Sequence, residues 1–236
     1  MNAPYIYIHM NKRLKLISTL IPAGVGFADV GTDHGYLPVY MAKSGYNGNI
    51  IASDLRPDPL SCAIAAAQEA HVEDTISFRL CDGLDGIAPD AVDTIVIAGM
   101  GGDTICGILD RAEWCMDARF LLILQPMTKA EILRYWLTNN GFAITQEHLV
   151  RDAGEIYQLI TTRFGGETAL CDAELFTGCY PLVRNRPLFQ EHLDEQIRRF
   201  EKAIAGMTKA RRIIGRRTLN EEILRELYKM REDMQK

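Results

Sequence analysis

The sequence contains no long apolar run. Its longest stretches, such as residues 120–124, fall far short of the roughly 20 residues a helix needs to cross a bilayer, and no membrane span is expected. The opening MNAPYIYIHMNKRLKLISTLIP has no early basic region, unbroken apolar segment or small-residue cleavage site, so it does not read as a secretory signal. The six cysteines form no CxxC pair, and none has the spacing from a histidine that a zinc site usually shows. No metal is expected. Cys62, Cys81 and Cys106 sit among apolar or small residues and read as buried, reduced thiols. Nothing requires an oxidising compartment, and a cytoplasmic protein is expected. The GxGxxG fingerprint of dinucleotide sites is also missing.

What remains is an ordinary globular composition. The chain has 236 residues, 47% of them hydrophobic and 24% charged, ample for a sizeable core and too apolar for a disordered chain. The formal net charge of −5 hides an asymmetry: residues 184–236 carry a net of +5 and residues 1–183 a net of −10. An acidic body with a basic tail points towards a polyanionic partner, although a solvated helical surface would give the same count.

Strand and helix patterns alternate up to about residue 163. GFADV (26–30), NIIAS (49–53), 75–80, DTIVIA (93–98) and FLLIL (120–124) read as buried strands, the last ended by Gln125-Pro126. Helical patterns lie before, between and after them, at 12–20, 37–43, 58–70, 104–109 and 129–139. Two further strands, 142–150 and 155–163, flank a glycine-containing turn and predict an antiparallel hairpin. The pattern predicts an α/β fold, a mostly parallel sheet with helices on both faces and an antiparallel end. Residues 165–181 read as a boundary between a first domain, 1–166, and a second, 167–236. Apolar residues at 189, 193, 197, 200, 204 and 207, and again at 219, 223, 227, 230 and 234, predict two helices in a coiled-coil-like hairpin.

The chemistry falls at strand ends, where such sheets bind ligands. Asp29-Val-Gly31-Thr32-Asp33-His34-Gly35 leaves the first strand and enters a helix. Its glycines allow close backbone approach, and Asp29 favours a ligand that carries positive charge. Asp54 follows the second strand, where a carboxylate can accept both hydroxyls of a ribose. Asp82-Gly83 closes the third, where an aspartate can accept an adenine amine. Ala98-Gly99-Met100-Gly101-Gly102 follows the fourth as an open, glycine-rich loop. Each has a plain structural reading, as a turn or a cap; their position on successive strands gives them joint weight.

DVGTDHGYLP, Ser53-Asp54, Asp82-Gly83, IAGMGG and Leu124-Gln125-Pro126 resemble class I S-adenosylmethionine-dependent methyltransferases, and more narrowly the bacterial TrmK family, tRNA adenine-N1 methyltransferases acting at position 22. The likeness runs from about Asn11 to Arg163. Asp33 stands where the broader class has a glycine, and GMGG replaces the Asn-Pro-Pro-Tyr motif of many amino-group methyltransferases. The resemblance implies a Rossmann-like sheet and a cofactor pocket. In it Asp29, Gly31 and Thr32 line the methionine end, with Gly35 in the following turn. Asp54 holds the ribose, Leu55 and Arg56 flank the adenine, Asp82 and Gly83 meet its amine, and Ala98, Gly99 and Met100 lie near the methyl group. Asp33 and His34 are the candidate catalytic residues, and Tyr36 is the nearest aromatic for stacking a target base.

Transfer to adenine N1 needs no general base, because N1 is largely unprotonated at neutral pH. A tRNA partner would meet Lys12, Arg13, Lys15, Arg56, Lys129, Arg134 and the tail's Arg198, Arg199, Arg211, Arg212, Arg216 and Arg217. A monomer is expected. Two other readings stay open on the sequence: a small-molecule methyltransferase, and a cofactor-sensing module whose helical hairpin docks a protein.

Overall fold

The strand patterns all fold as strands, and their order in space creates the site. The computed structural model describes residues 10–207 and 214–235. Five parallel strands, β1 (Phe27–Val30), β2 (Ile50–Asp54), β3 (Ile76–Leu80), β4 (Thr94–Gly101) and β5 (Leu121–Thr128), are joined by an antiparallel pair, β6 (Phe142–Asp152) and β7 (Glu155–Phe164). The order across the sheet is β3-β2-β1-β4-β5-β7-β6. The chain runs outward from β1 to β3, then returns to place β4 on the other flank of β1. A crevice opens at such a reversal, at the carboxyl ends of the strands.

Alternation along the central strands separates two cores. Ile95, Ile97, Leu122 and Leu124 face α4 (Gly102–Arg111) and α5 (Ala130–Asn139), while Val96 and Ile123 face α1 (Lys12–Leu20), α2 (Tyr36–Lys43) and α3 (Pro57–Glu69). Strands buried on both faces carry the continuous apolar runs seen in the sequence. Within α3 the period turns Leu60, Ala63 and Ala67 inward. Cys62 therefore lies on the outer face and is exposed, contrary to the reading of it as a buried thiol; Cys81 is half-buried and Cys106 buried.

Two strand ends also differ from expectation. The glycine-rich segment after β4 is not a loop: β4 continues through Gly101, bulging so that Ala98 pairs with Gln125 and Met100 with Pro126. Gly99 is the bulged residue, at φ +82°, a region that favours glycine. β5 likewise runs on to Thr128 instead of ending at Gln125-Pro126. Its pairing with β7 covers Leu122–Leu124, so on that side Pro126 meets no strand that would need its missing N–H.

Beyond the sheet, residues 165–181 hold more structure than a linker pattern implies. Two short helices, α6 (Asp172–Thr177) and α7 (Tyr180–Val183), bury Ala173, Thr177 and Val183 beneath α8 (Phe189–Gly206) and α9 (Ile214–Asp233). The two long helices form the expected antiparallel hairpin, with Phe189, Leu193, Ile197 and Phe200 against Ile223, Leu227 and Met230. Tyr228 donates to Glu201 at 2.5 Å, and Arg231 faces Asp194 at 3.8 Å.

Arg134 ties this region to the sheet. It is buried, not available at the surface as the sequence reading supposed. Its Nε donates to Glu147 on β6 at 2.7 Å, its terminal nitrogens to Gln158 on β7 at 2.7 Å and to the Leu175 carbonyl on α6 at 2.8 Å. The second oxygen of Glu147 accepts the Cys179 amide at 2.5 Å. Glu147→Gln leaves the guanidinium charge uncompensated in the interior. It is expected to cost about 3–5 kcal/mol, read as an early urea midpoint; an unchanged midpoint would refute this account of the joint.

Candidate active site

Two adjoining hollows occupy the crevice. The first, about 480 Å3, is lined by Gly31 and Asp33 after β1, Asp54, Leu55 and Arg56 after β2, and Asp82 and Gly83 after β3. Ala98, Gly99 and Met100 on β4, with Thr104, Ile108 and Arg111 on α4, close it. The second, about 340 Å3, shares Gly31, Asp33, Ala98 and Gly99 with the first. It adds Asp29, Thr32, Tyr36, Met127, the α1 residues Arg13 and Leu14, and Asn11, which caps that helix.

Backbone geometry shapes the floor. Gly31 lies at φ +73°, and a Cβ there would stand 2.1 Å from the Met100 methyl group, so any larger residue would push Met100 into the cleft. Asp33 takes the left-handed conformation at φ 51°, which Asp tolerates better than most residues; this is how it occupies a position where a glycine is usual. Its amide donates to Asp54 Oδ2 at 3.2 Å, while the Arg56 amide donates to Oδ1 at 2.9 Å. Two backbone amides thus fix the Asp54 carboxylate at the end of β2.

Asp29 is less well served. It is buried, and the Thr32 hydroxyl donates to its Oδ2 at 2.7 Å. Burial pushes its pKa up to about 6; the Thr32 hydrogen bond pulls the other way, and the Asp54 charge adds to the rise. An acid so placed gains from a cation beside it. Asp82 is half-exposed and paired with Arg111 at 2.9 Å.

The structure therefore gathers Asp29, Gly31, Thr32, Asp33, Asp54, Leu55, Arg56, Asp82, Gly83, Ala98, Gly99 and Met100 around one crevice. His34 and Gly35 stand outside its walls. His34 is exposed, 3.8 Å from the Asp33 carboxylate and stacked at a tilt on Tyr36. Gly35 begins α2 and packs on Ala63. Other residues enter that the site reading had not assigned. Gln125, wholly buried at the carboxyl end of β5, accepts both the Gly99 amide at 3.1 Å and Arg13 at 2.6 Å. Arg13 also reaches the Met127 sulfur at 2.9 Å and lies over the Tyr157 ring. Arg111 caps the far side. Gln125 had a signal in the Leu-Gln-Pro run at a strand end, and Arg13 only as one of the basic residues offered to tRNA. Among the described residues no cluster of His, Cys, Asp or Glu could hold a metal ion, and no helix is long and apolar enough to cross a membrane.

A family model described as a methyltransferase domain matches residues 10–160. The tRNA (adenine(22)-N(1))-methyltransferase of Bacillus subtilis is 32% identical over 165 residues, 70% of this chain and 69% of that protein. The chain belongs to the TrmK family of class I methyltransferases. The solved B. subtilis TrmK superposes with a TM-score of 0.77 at 25% identity, covering 97% of this chain and 98% of that one. A Streptococcus pneumoniae protein described as a putative tRNA (m1A22) methyltransferase, solved with S-adenosyl-L-methionine, does so at 0.79 and 27%, over 93% and 98%. The likeness to these TrmK-type structures thus takes in the C-terminal helices as well as the sheet.

The raised pKa of Asp29 carries a stability cost. An acid whose pKa is higher in the folded than in the unfolded protein destabilises the fold as pH rises through the shifted value. Asp29→Asn keeps the Thr32 contact and removes the charge. The ligand-free variant is expected to match the parent near pH 4 and to exceed it by up to about 3 kcal/mol above pH 7. Unfolding curves across that range check this, and a gain that does not change with pH would contradict it.

Proposed function

We propose that this protein transfers the methyl group of S-adenosylmethionine to N1 of adenine 22 in tRNA. The observation that carries the reading is the divided crevice, with acidic side chains at or just beyond the ends of β1, β2 and β3, in a chain of the TrmK family. The cleft suits the cofactor on three counts: Gly31 leaves the floor clear, Asp54 is already oriented by two amides, and Asp29 is short of a cationic partner. Asp54 would hold the ribose hydroxyls, Leu55 and Ile108 would flank the adenine, and Asp82 would meet its amine, sharing its carboxylate with Arg111. Asp29 and Thr32 would take the charged methionine end. Bound there, the cofactor supplies an electrophilic methyl group on a sulfonium.

The chain's own task is then positioning. The N1 lone pair of adenine attacks unaided, so holding the base in line is the main contribution. The second hollow, between α1, Tyr36 and Met127, offers the target adenine a place beside Gly99. An adenosine in a folded tRNA reaches it by leaving its stack. Asp33, exposed on the shared wall, sets a carboxylate near the positive charge that develops on the base; His34, outside the walls, serves better as a partner of Asp33 and Tyr36. For the phosphate backbone the chain offers exposed Lys12, Lys15, Arg56, Arg198, Arg199 and Arg217. Arg211 and Arg212 lie outside the described residues, as does the side chain of Arg216.

Labelled methyl from S-adenosylmethionine is expected in 1-methyladenosine after digestion of a transcribed tRNA, and to vanish when guanosine replaces adenosine 22. Asp29→Ala, losing a charged contact, should weaken cofactor binding by about 10–100-fold. Label in another nucleoside, or in no RNA at all, would overturn the assignment.

A further inference from the structure

A third hollow, about 280 Å3, lies beside the second, at the seam between the sheet and the helical region. The two share Met127. Arg13, which lines the second hollow, bonds the Met127 sulfur and lies over the Tyr157 ring of the third with its guanidinium carbon 5.0 Å from the ring centre. Tyr157 on β7 and Phe176 on α6 bring aromatic surface to this recess, and Gln196 on α8 lines it as well. The Gln196 Oε1 is buried and has no hydrogen-bond partner among the described residues, a costly arrangement unless something supplies a donor. Glu131 and Glu155 add two further acceptors. Two cations also face the hollow, and both are engaged: Lys129 bonds Asp103 at 2.5 Å, and Arg199 sits over the Phe176 ring at 5.8 Å.

The charges nearly balance, so the recess is not built for a phosphate. Aromatic surface with an excess of acceptors suits a flat, neutral group that presents N–H donors. We infer that this recess holds the base of a nucleotide next to the target adenosine, stacked on Tyr157 or Phe176 and read at its amino edge by Gln196. Adenine, cytosine and guanine carry such an edge; uracil, with a carbonyl on either side of a single N–H, fits it poorly. The inference rests on the tRNA reading above and deepens it. With the target in the second hollow and its neighbour in the third, Met127, which lines both, would stand between two unstacked bases. The site would then depend on both halves of the chain, because Gln196 and Phe176 come from the helical region.

The test uses the full chain and synthetic tRNA in which the 5′ or the 3′ neighbour of the target adenosine is made abasic. Losing the seated base should lower the parent's kcat/KM about tenfold, for one of the two substrates. Gln196→Leu and Tyr157→Ala should each raise KM for the intact tRNA several-fold and leave cofactor affinity unchanged by calorimetry. On the sensitive abasic substrate neither should cost much more, because the contact is already gone. Tyr157 also carries Arg13, so Gln196→Leu supplies an independent measurement. Losses that simply multiply, or an abasic substrate series that leaves the parent unaffected, would overturn the inference while methylation of adenosine 22 stands. No methylation of adenosine 22 by the parent would remove the reading beneath it, and the inference with it.

Discussion

Arg134 and Glu147 form the contact on which the joint between the two parts of the chain rests. The pair lies within the protein at 2.7 Å, and the same two side chains also hold Gln158, the Leu175 carbonyl and the Cys179 amide. An ion pair of this kind is not simply a source of stability, because removing two charges from water is costly. What it fixes is orientation. Each extra hydrogen bond satisfies a further lone pair or N–H, and each comes from a different element, so α5, β6, β7, α6 and the start of α7 can meet in one arrangement only. The recess at the seam inherits its shape from that arrangement.

Gln125 does the corresponding work inside the crevice. Its side-chain oxygen accepts from Gly99 on the β4 bulge and from Arg13 on α1, while its nitrogen donates to the Pro126 carbonyl at 2.9 Å. The bulge is what turns Gly99 out of the strand ladder, and Gln125 holds it there. The same residue anchors Arg13, which leans on Met127 and Tyr157. One buried amide thus connects Gly99, which lines the first and second hollows, to Arg13 in the second.

The sequence carried the sheet well because its strands are buried on both faces, and burial there leaves a continuous apolar run that few other structures produce. The acidic residues of the crevice were legible for a related reason: each lies within or just beyond the end of its strand, so position along the chain equals position in the site. Side chains that arrive across the fold were not legible. Nothing near Arg111 in the sequence says that it meets Asp82, since that contact depends on how α4 packs against the Asp82-Gly83 turn that follows β3. Arg134 was read as a surface cation because most arginines are; only the packing of four other elements around it makes it interior. The short helices α6 and α7 escaped notice because six- and four-residue segments are too brief to display a period.

The aspartates of the crevice show how a site can be prepared before its ligand arrives. Asp54 receives two backbone amides, so its geometry is settled whatever the cleft contains. Asp29 receives one hydroxyl and is otherwise shut away from water, with Asp54 as a further negative neighbour. The same burial that destabilises its charge strengthens its attraction for a cation, since both effects scale with the exclusion of water. Giving Asp29 a second internal donor would steady the fold and lessen its pull on a cation together. The unsatisfied Gln196 oxygen at the seam follows the same logic with a neutral group. In each case a buried acceptor is left short of a donor that a well-packed interior would supply.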